Sequence, residues 1–145
     1  NSGLRISDIL SFDIKDVRDK EFITVTEKKT GKRKVFPVNY KLKALIENFV
    51  QNRADDEPLF KSRYGNRLDR TNAYRIINSA CNQAGIKSKI GTHTLRKTFG
   101  YHHYKKFKDI AILQKIFNHY SESTTLRYIG IEQDEINKSY AGFVL

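Results

Sequence analysis

From Tyr40 to Arg53 the apolar residues Leu42, Leu45, Ile46, Phe49 and Val50 recur at i, i+3, i+4, i+7 and i+8. That is the one-sided stripe of an amphipathic helix. A strand cannot use it, because strand side chains change face at every residue. The same period returns downstream. Asp69 is placed to cap a helix running to about Ala84, with Ala73, Ile76, Ile77, Ala80 and Cys81 on one side and Gly85 as its stop. Thr92 is placed to cap the next helix, which carries His93, Leu95, Arg96 and Phe99. Asp109 is placed to cap another, with Ile110, Leu113, Ile116 and Phe117 inward. Gly3 to Leu10, Ser123 to Ile129 and Gln133 to Tyr140 complete the helical set.

One stretch breaks the pattern. Phe22-Ile23-Thr24-Val25-Thr26 is β-branched and strand-like, Lys29-Thr30-Gly31-Lys32 is a turn, and Val35-Phe36-Pro37-Val38 is a second short strand. The expected fold is therefore mainly α with a small β-hairpin, an α+β class, in one domain spanning residues 1–145. The chain opens on Asn1 and is already helical by Gly3, which reads as a fragment with an upstream part missing.

Charge narrows the partner. Lys and Arg number 27 against 16 acidic residues, a net charge of +11. A folded domain so basic attracts polyanions, DNA or RNA above all, although a merely soluble basic protein shares the composition. The charge is spread along the chain, as on a basic face and not in a basic tail. No apolar run approaches the roughly 20 residues that span a bilayer, so no membrane role is expected. The lone Cys81 can form no internal disulfide and fits a reducing compartment such as the cytoplasm.

The candidate chemistry lies in a series of polar residues. His93 and Arg96 stand i, i+3 near a helix N-terminus, a favourable place for a phosphate. Alone, so short a pattern is more often a surface pair. It gains weight from its company: Arg5 in Gly-Leu-Arg-Ile-Ser, Lys29 on the hairpin, His119 in Phe-Asn-His, and Tyr128 in Leu-Arg-Tyr-Ile. No glycine-rich phosphate loop and no cluster of carboxylates accompanies them. His93, His102 and His103 make a poor zinc set without further ligands, so no cofactor is expected.

In that order and in those contexts (GLRISDIL, THTLRKTF, and FNH through LRYIGI) the chain resembles the tyrosine recombinases, and among them the integrases of phages and integrative elements. The resemblance covers nearly the whole chain and implies its catalytic-domain fold, with a separate helical DNA-binding domain upstream. It implies site-specific DNA recombination through a 3′-phosphotyrosine on Tyr128. Arg5 and Arg96 would hold the non-bridging oxygens of the scissile phosphate, a task suited to a planar, permanently charged fork. His93 would be the base and His119 a hydrogen-bond donor to the phosphate. Lys29 would protonate the leaving 5′-oxygen, its turn supplying a mobile reach, with Lys28 and Lys32 as rivals. Asp8, one turn after Arg5, is placed to orient it or simply to pair with it. Lys28, Thr30, Lys32, Lys97 and Arg127 are candidate DNA contacts.

The implied partners are double-stranded DNA at attachment sites, further protomers in a tetramer on DNA, and an accessory directionality factor. The tail from Glu135-Ile136 to Tyr140–Leu145 would either pack on its own core or dock on a neighbouring protomer. Two departures stand out: Phe117-Asn118-His119 where many members have Leu-Gly-His, and Lys97 where many have His or Arg. A type IB topoisomerase, with a similar residue set, and a non-catalytic DNA-binding protein are the alternative readings.

Overall fold

The alternating run Phe22–Thr26 forms a strand, β1, paired antiparallel with β2 (Arg33–Pro37) from Phe22↔Pro37 to Thr26↔Arg33. β2 starts two residues before the expected Val35, because Arg33 and Lys34 find backbone partners in Thr26 and Val25. Ile23 and Val25 are buried while Phe22, Thr24 and Thr26 face out, as period two requires. Beyond the ladder, the Glu27 N–H donates to the Lys32 carbonyl at 2.9 Å and the Gly31 N–H donates to the Glu27 carbonyl at 2.8 Å. Gly31 sits at φ +67°, a conformation glycine adopts without steric cost.

The computed structural model describes residues 2–88 and 90–143. They fall into two compact units, one made of Arg5–Thr92 and the other of Ser2–Leu4 with the chain from His93 onward. In the first unit a short helix α1 (Ile6–Ile9) leads into a 3-10 turn at Ile14–Asp16, which the sequence pattern does not announce. Ile14, Val17, Ile23, Val25, Val50 and Leu59 are buried. Arginines tie the connecting segments together: Arg18 Nη2 donates to the carbonyls of Val50 and Arg53, and Arg67 Nη1 donates to those of Leu10 and Phe12.

The stripe at residue 40 does form a helix, α2 (Tyr40–Val50), capped by Asn39. It stops short of Arg53, because Gln51 takes an extended ψ, and Arg18 Nη2 donates to the carbonyls of Val50 and Arg53. Of its stripe only Val50 is buried, while Leu45 and Phe49 are exposed. The helix α3 (Arg70–Gln83) begins as expected at Asp69, whose side chain accepts the Asn72 N–H at 2.8 Å. Gly85, at φ +73°, follows its end.

Among the described residues, the regular elements of the second unit are all helices. Its α4 (Thr94–Phe107) corrects one expectation: Thr92 is not the cap. The backbone is already helical at His93, whose carbonyl accepts the Lys97 N–H, so His93 holds the cap position without a side-chain cap bond. α5 (Ile110–Phe117) starts at Asp109, which caps the Ile112 N–H. α6 (Glu122–Ile129) is capped by Ser121, and Gly130 at φ +81° divides it from α7 (Ile131–Gly142). Leu113, Phe117, Ile129 and Ile131 form the core, with Phe99, Tyr104 and Tyr128 packed on it. Each such large apolar side chain contributes about 1.5–3 kcal/mol on full burial. α4 crosses this core closely: a Cβ on Gly100 would meet Ile129 at 2.6 Å and Phe117 at 2.7 Å. No described helix is long and apolar enough to cross a membrane.

Candidate active site

In the second unit His93, Arg96, His119 and Tyr128 come together, brought by the start of α4, the end of α5 and the last turn of α6. The Nδ1 of His93 lies 3.3 Å from the Tyr128 hydroxyl. The Tyr128 ring stands edge-on to His119, with centroids 5.0 Å apart, and edge-on to Phe117 at 5.5 Å. Lys97 places its ammonium 5.5 Å from the centre of the same ring. The tyrosine is thus half-buried in a polar and aromatic setting, with a ring nitrogen at its hydroxyl and a cation beside its ring.

Arg96 is only 4% exposed. Its Nη1 donates to the Gly3 carbonyl at 2.6 Å and its Nη2 to the Phe117 carbonyl at 2.9 Å, and the guanidinium lies 4.4 Å from the Phe117 ring centre. Two carbonyls and an aromatic face fix the plane of the fork, which is the preorganisation that oxyanion recognition requires. Gly3 is needed for this approach. It sits at φ +63°, and a Cβ there would meet the Phe99 ring at 2.6 Å.

His119 follows α5, where Asn118 adopts φ +53°. Asparagine tolerates the left-handed bend that glycine would otherwise supply, so Phe-Asn-His keeps the bend with a different residue. Gln114 Nε2 holds the loop by donating to the carbonyls of His119 and Tyr120. The Nδ1 of His119 lies 3.2 Å from the hydroxyl of buried Thr125, which itself donates to the Ser121 carbonyl. That contact fixes the ring, its donor and acceptor roles following the tautomer of His119, and turns the Nε2 edge away from Thr125.

In the first unit Arg5 and Lys29 have their own setting. The carboxylate paired with Arg5 is that of Glu27, at 2.9 Å, and Glu27 is fully buried. Asp8 turns instead to the hairpin, its Oδ1 accepting the Lys28 N–H at 3.1 Å. Lys29 is exposed, as are Lys28 and Lys32. The hydroxyl of Thr30 does not face outward to a ligand but donates to Glu27 at 2.8 Å. Of the remaining candidate contacts, Lys97 lies at Tyr128, and Arg127 is 3.6 Å from Glu132. His103 packs between Phe99 and Phe107, and burial pushes its pKa below the usual histidine value.

Sequence reasoning missed Glu27 and Thr125. Glu27 had a signal, since it continues the inward parity of Ile23 and Val25; Thr125 had none beyond its place one turn before Tyr128.

Residues 1–135 match the phage integrase family. The chain belongs to that family. A probable integrase/recombinase of Bacillus subtilis, YoeC, is 47% identical over 144 residues, covering 99% of this chain and 79% of that protein. The XerA recombinase crystal structure superposes with a TM-score of 0.75 at 25% identity, over 97% of this chain and 52% of that one. A lambda integrase dimer bound to a core site shares the fold at a TM-score of 0.67 and 18% identity, over 88% and 48%. This integrase-family chain spans about half the length of most of the curated relatives it matches. The described residues form helices with one small antiparallel hairpin, and the likeness to the XerA recombinase structure bears out the expected fold class.

Proposed function

We propose that this chain is the C-terminal catalytic domain of a site-specific integrase that acts on double-stranded DNA in the cytoplasm. The observation that carries the reading is the His93–Tyr128 contact at 3.3 Å beside a buried, oriented Arg96. In the first step the Tyr128 oxygen attacks phosphorus, and its proton passes to His93 Nδ1. The bond from phosphorus to the 5′-oxygen breaks, and that oxygen leaves as a hydroxyl with a proton from Lys29. Arg5 and Arg96 neutralise the non-bridging oxygens, whose charge grows in the transition state, and His119 donates to one of them. Reversal by a different 5′-hydroxyl rejoins the strand. The phosphotyrosine keeps the energy of the broken diester, so the cycle needs no nucleotide hydrolysis.

An unperturbed phenol titrates near 10, so activation is essential at neutral pH. The His93 ring nitrogen at its hydroxyl is placed to take the phenol proton, and the Lys97 ammonium lies 5.5 Å from its ring centre.

The partners follow from the same reading. DNA supplies the phosphates that a net charge of +11 attracts. Further protomers assemble on it as a tetramer, aided by a directionality factor. Ile136, Tyr140 and Phe143 support the intermolecular role of the tail, since Tyr140 is 81% and Phe143 71% exposed; Val144 and Leu145 lie outside the described residues. The relatives are named recombinases and integrases, which leaves the topoisomerase and non-catalytic readings without support.

The test is covalent trapping. Full-length protein is incubated with a labelled, nicked duplex carrying its attachment sequence, so that the cleaved strand diffuses away. A labelled band that survives denaturation supports the reading, and its absence under conditions of tight DNA binding contradicts it.

A further inference from the structure

We propose that Glu27 is a positioning residue that sets both Arg5 and the Lys29 turn; this rests on the recombinase reading above. A charge in a basic hairpin ordinarily points to solvent, yet Glu27 is fully buried. It lies at the end of β1, on the same face as Ile23 and Val25, and its Oε2 serves two partners. Arg5 Nη1 stands 2.9 Å from it, and the Thr30 hydroxyl donates to it at 2.8 Å. The main chain of Glu27 closes the turn as well: its carbonyl accepts the N–H groups of Thr30 and Gly31. On the other side of Lys29, the Lys28 N–H donates to Asp8, which is also fully buried.

Lys29 therefore stands between two anchored neighbours, Lys28 held by Asp8 and Thr30 held by Glu27. The turn is tethered at its root, and what remains adjustable is the lysine side chain itself. One carboxylate thus fixes one edge of the phosphate-binding arginine and the base of the proton-donating lysine. A buried carboxylate without a cation is costly, so Arg5 and Glu27 hold each other in place. Glu27 takes Arg5 by Nη1, which orients the rest of the guanidinium fork.

The prediction separates Glu27 from a residue that merely supports the fold. Two duplexes are compared, one with the natural 5′-bridging oxygen and one with sulfur at that position. A thiolate leaves without a proton, because thiols titrate near 8.5; the sulfur substrate therefore bypasses Lys29. Thr30→Val keeps the Arg5 pair and loosens the turn. It should slow cleavage of the oxygen substrate about tenfold or more and approach wild type on sulfur. Glu27→Gln disturbs both functions, so sulfur should restore only part of its loss. Melting temperatures and circular dichroism identify any variant that fails to fold, and Thr30→Val carries the test if Glu27→Gln does. Equal losses on both substrates for the folded variants, or rates within about twofold of wild type, overturn the proposal. A wild-type protein that forms no adduct overturns the recombinase reading and this inference with it.

Discussion

The Nδ1 of His93 and the hydroxyl of Tyr128 are 3.3 Å apart, although 35 residues separate them in the chain. The contact joins the cap position of α4 to the last turn of α6, two elements that pack on the shared Phe117 core. It places an imidazole nitrogen within hydrogen-bond reach of the proposed nucleophile.

His93→Gln should therefore slow covalent adduct formation by roughly 10²–10⁴-fold, the usual range for a lost general base. Equilibrium DNA binding should change little, because neutral glutamine removes no phosphate-binding cation. Single-turnover cleavage rates and a gel-shift titration measure the two quantities separately.

Gly100→Ala should destabilise the second unit. The new methyl group would stand 2.6–2.7 Å from Ile129 and Phe117, so the core must shift. Overpacking of this kind costs about 1–3 kcal/mol. Calorimetry should show a melting temperature lower by several degrees, with α6 and its tyrosine loosened as proteolysis would reveal.

His103 should make the fold sensitive to mild acid. Burial depresses its pKa in the folded state, whereas the unfolded chain holds the ordinary histidine value. The sign follows directly: the unfolded state takes up the proton first as pH falls. The contribution is complete above the unfolded value and is lost as pH falls through that value towards the depressed folded one. Melting temperatures between about pH 8 and 5.5 should decline for wild type and decline less for His103→Gln.

DNA affinity should fall steeply with salt. A protein with +11 net charge binds largely through phosphates, and each neutralised phosphate releases counterions. For 6–10 phosphate contacts the loss is roughly 10³–10⁵ between about 50 and 200 mM salt. A titration at several salt concentrations gives the slope, and a flat line would contradict the phosphate-based account.

Much of this was legible in the sequence because it depends on short-range chemistry. Asp69 and Asp109 cap the helices they were expected to cap, and the β1 alternation gives its burial correctly. The His93–Arg96 spacing places both at the start of α4. Period alone says which side of α2 is apolar, not what covers it, and Leu45 and Phe49 remain exposed. Glu27 was hidden for a different reason. It sits in Glu-Lys-Lys beside a turn, where local charge argues for solvent; only the parity with Val25 and a partner 22 residues upstream reverse that. Asp8 looked like the partner of Arg5 from i, i+3 spacing, and the hairpin supplied a better one.

The central claim is that Tyr128 carries the covalent bond, and substitution on one denaturing gel tests it most directly. Wild-type, Tyr128→Phe and Tyr120→Phe proteins are each trapped on the same nicked, labelled duplex. Tyr120 is the natural control, being nearby in sequence and 99% exposed. Tyr128→Phe should bind the duplex as wild type does and yield no adduct, because only the nucleophilic oxygen is gone. Tyr120→Phe should yield the wild-type amount. An adduct that persists in Tyr128→Phe, or vanishes in Tyr120→Phe, would contradict the account.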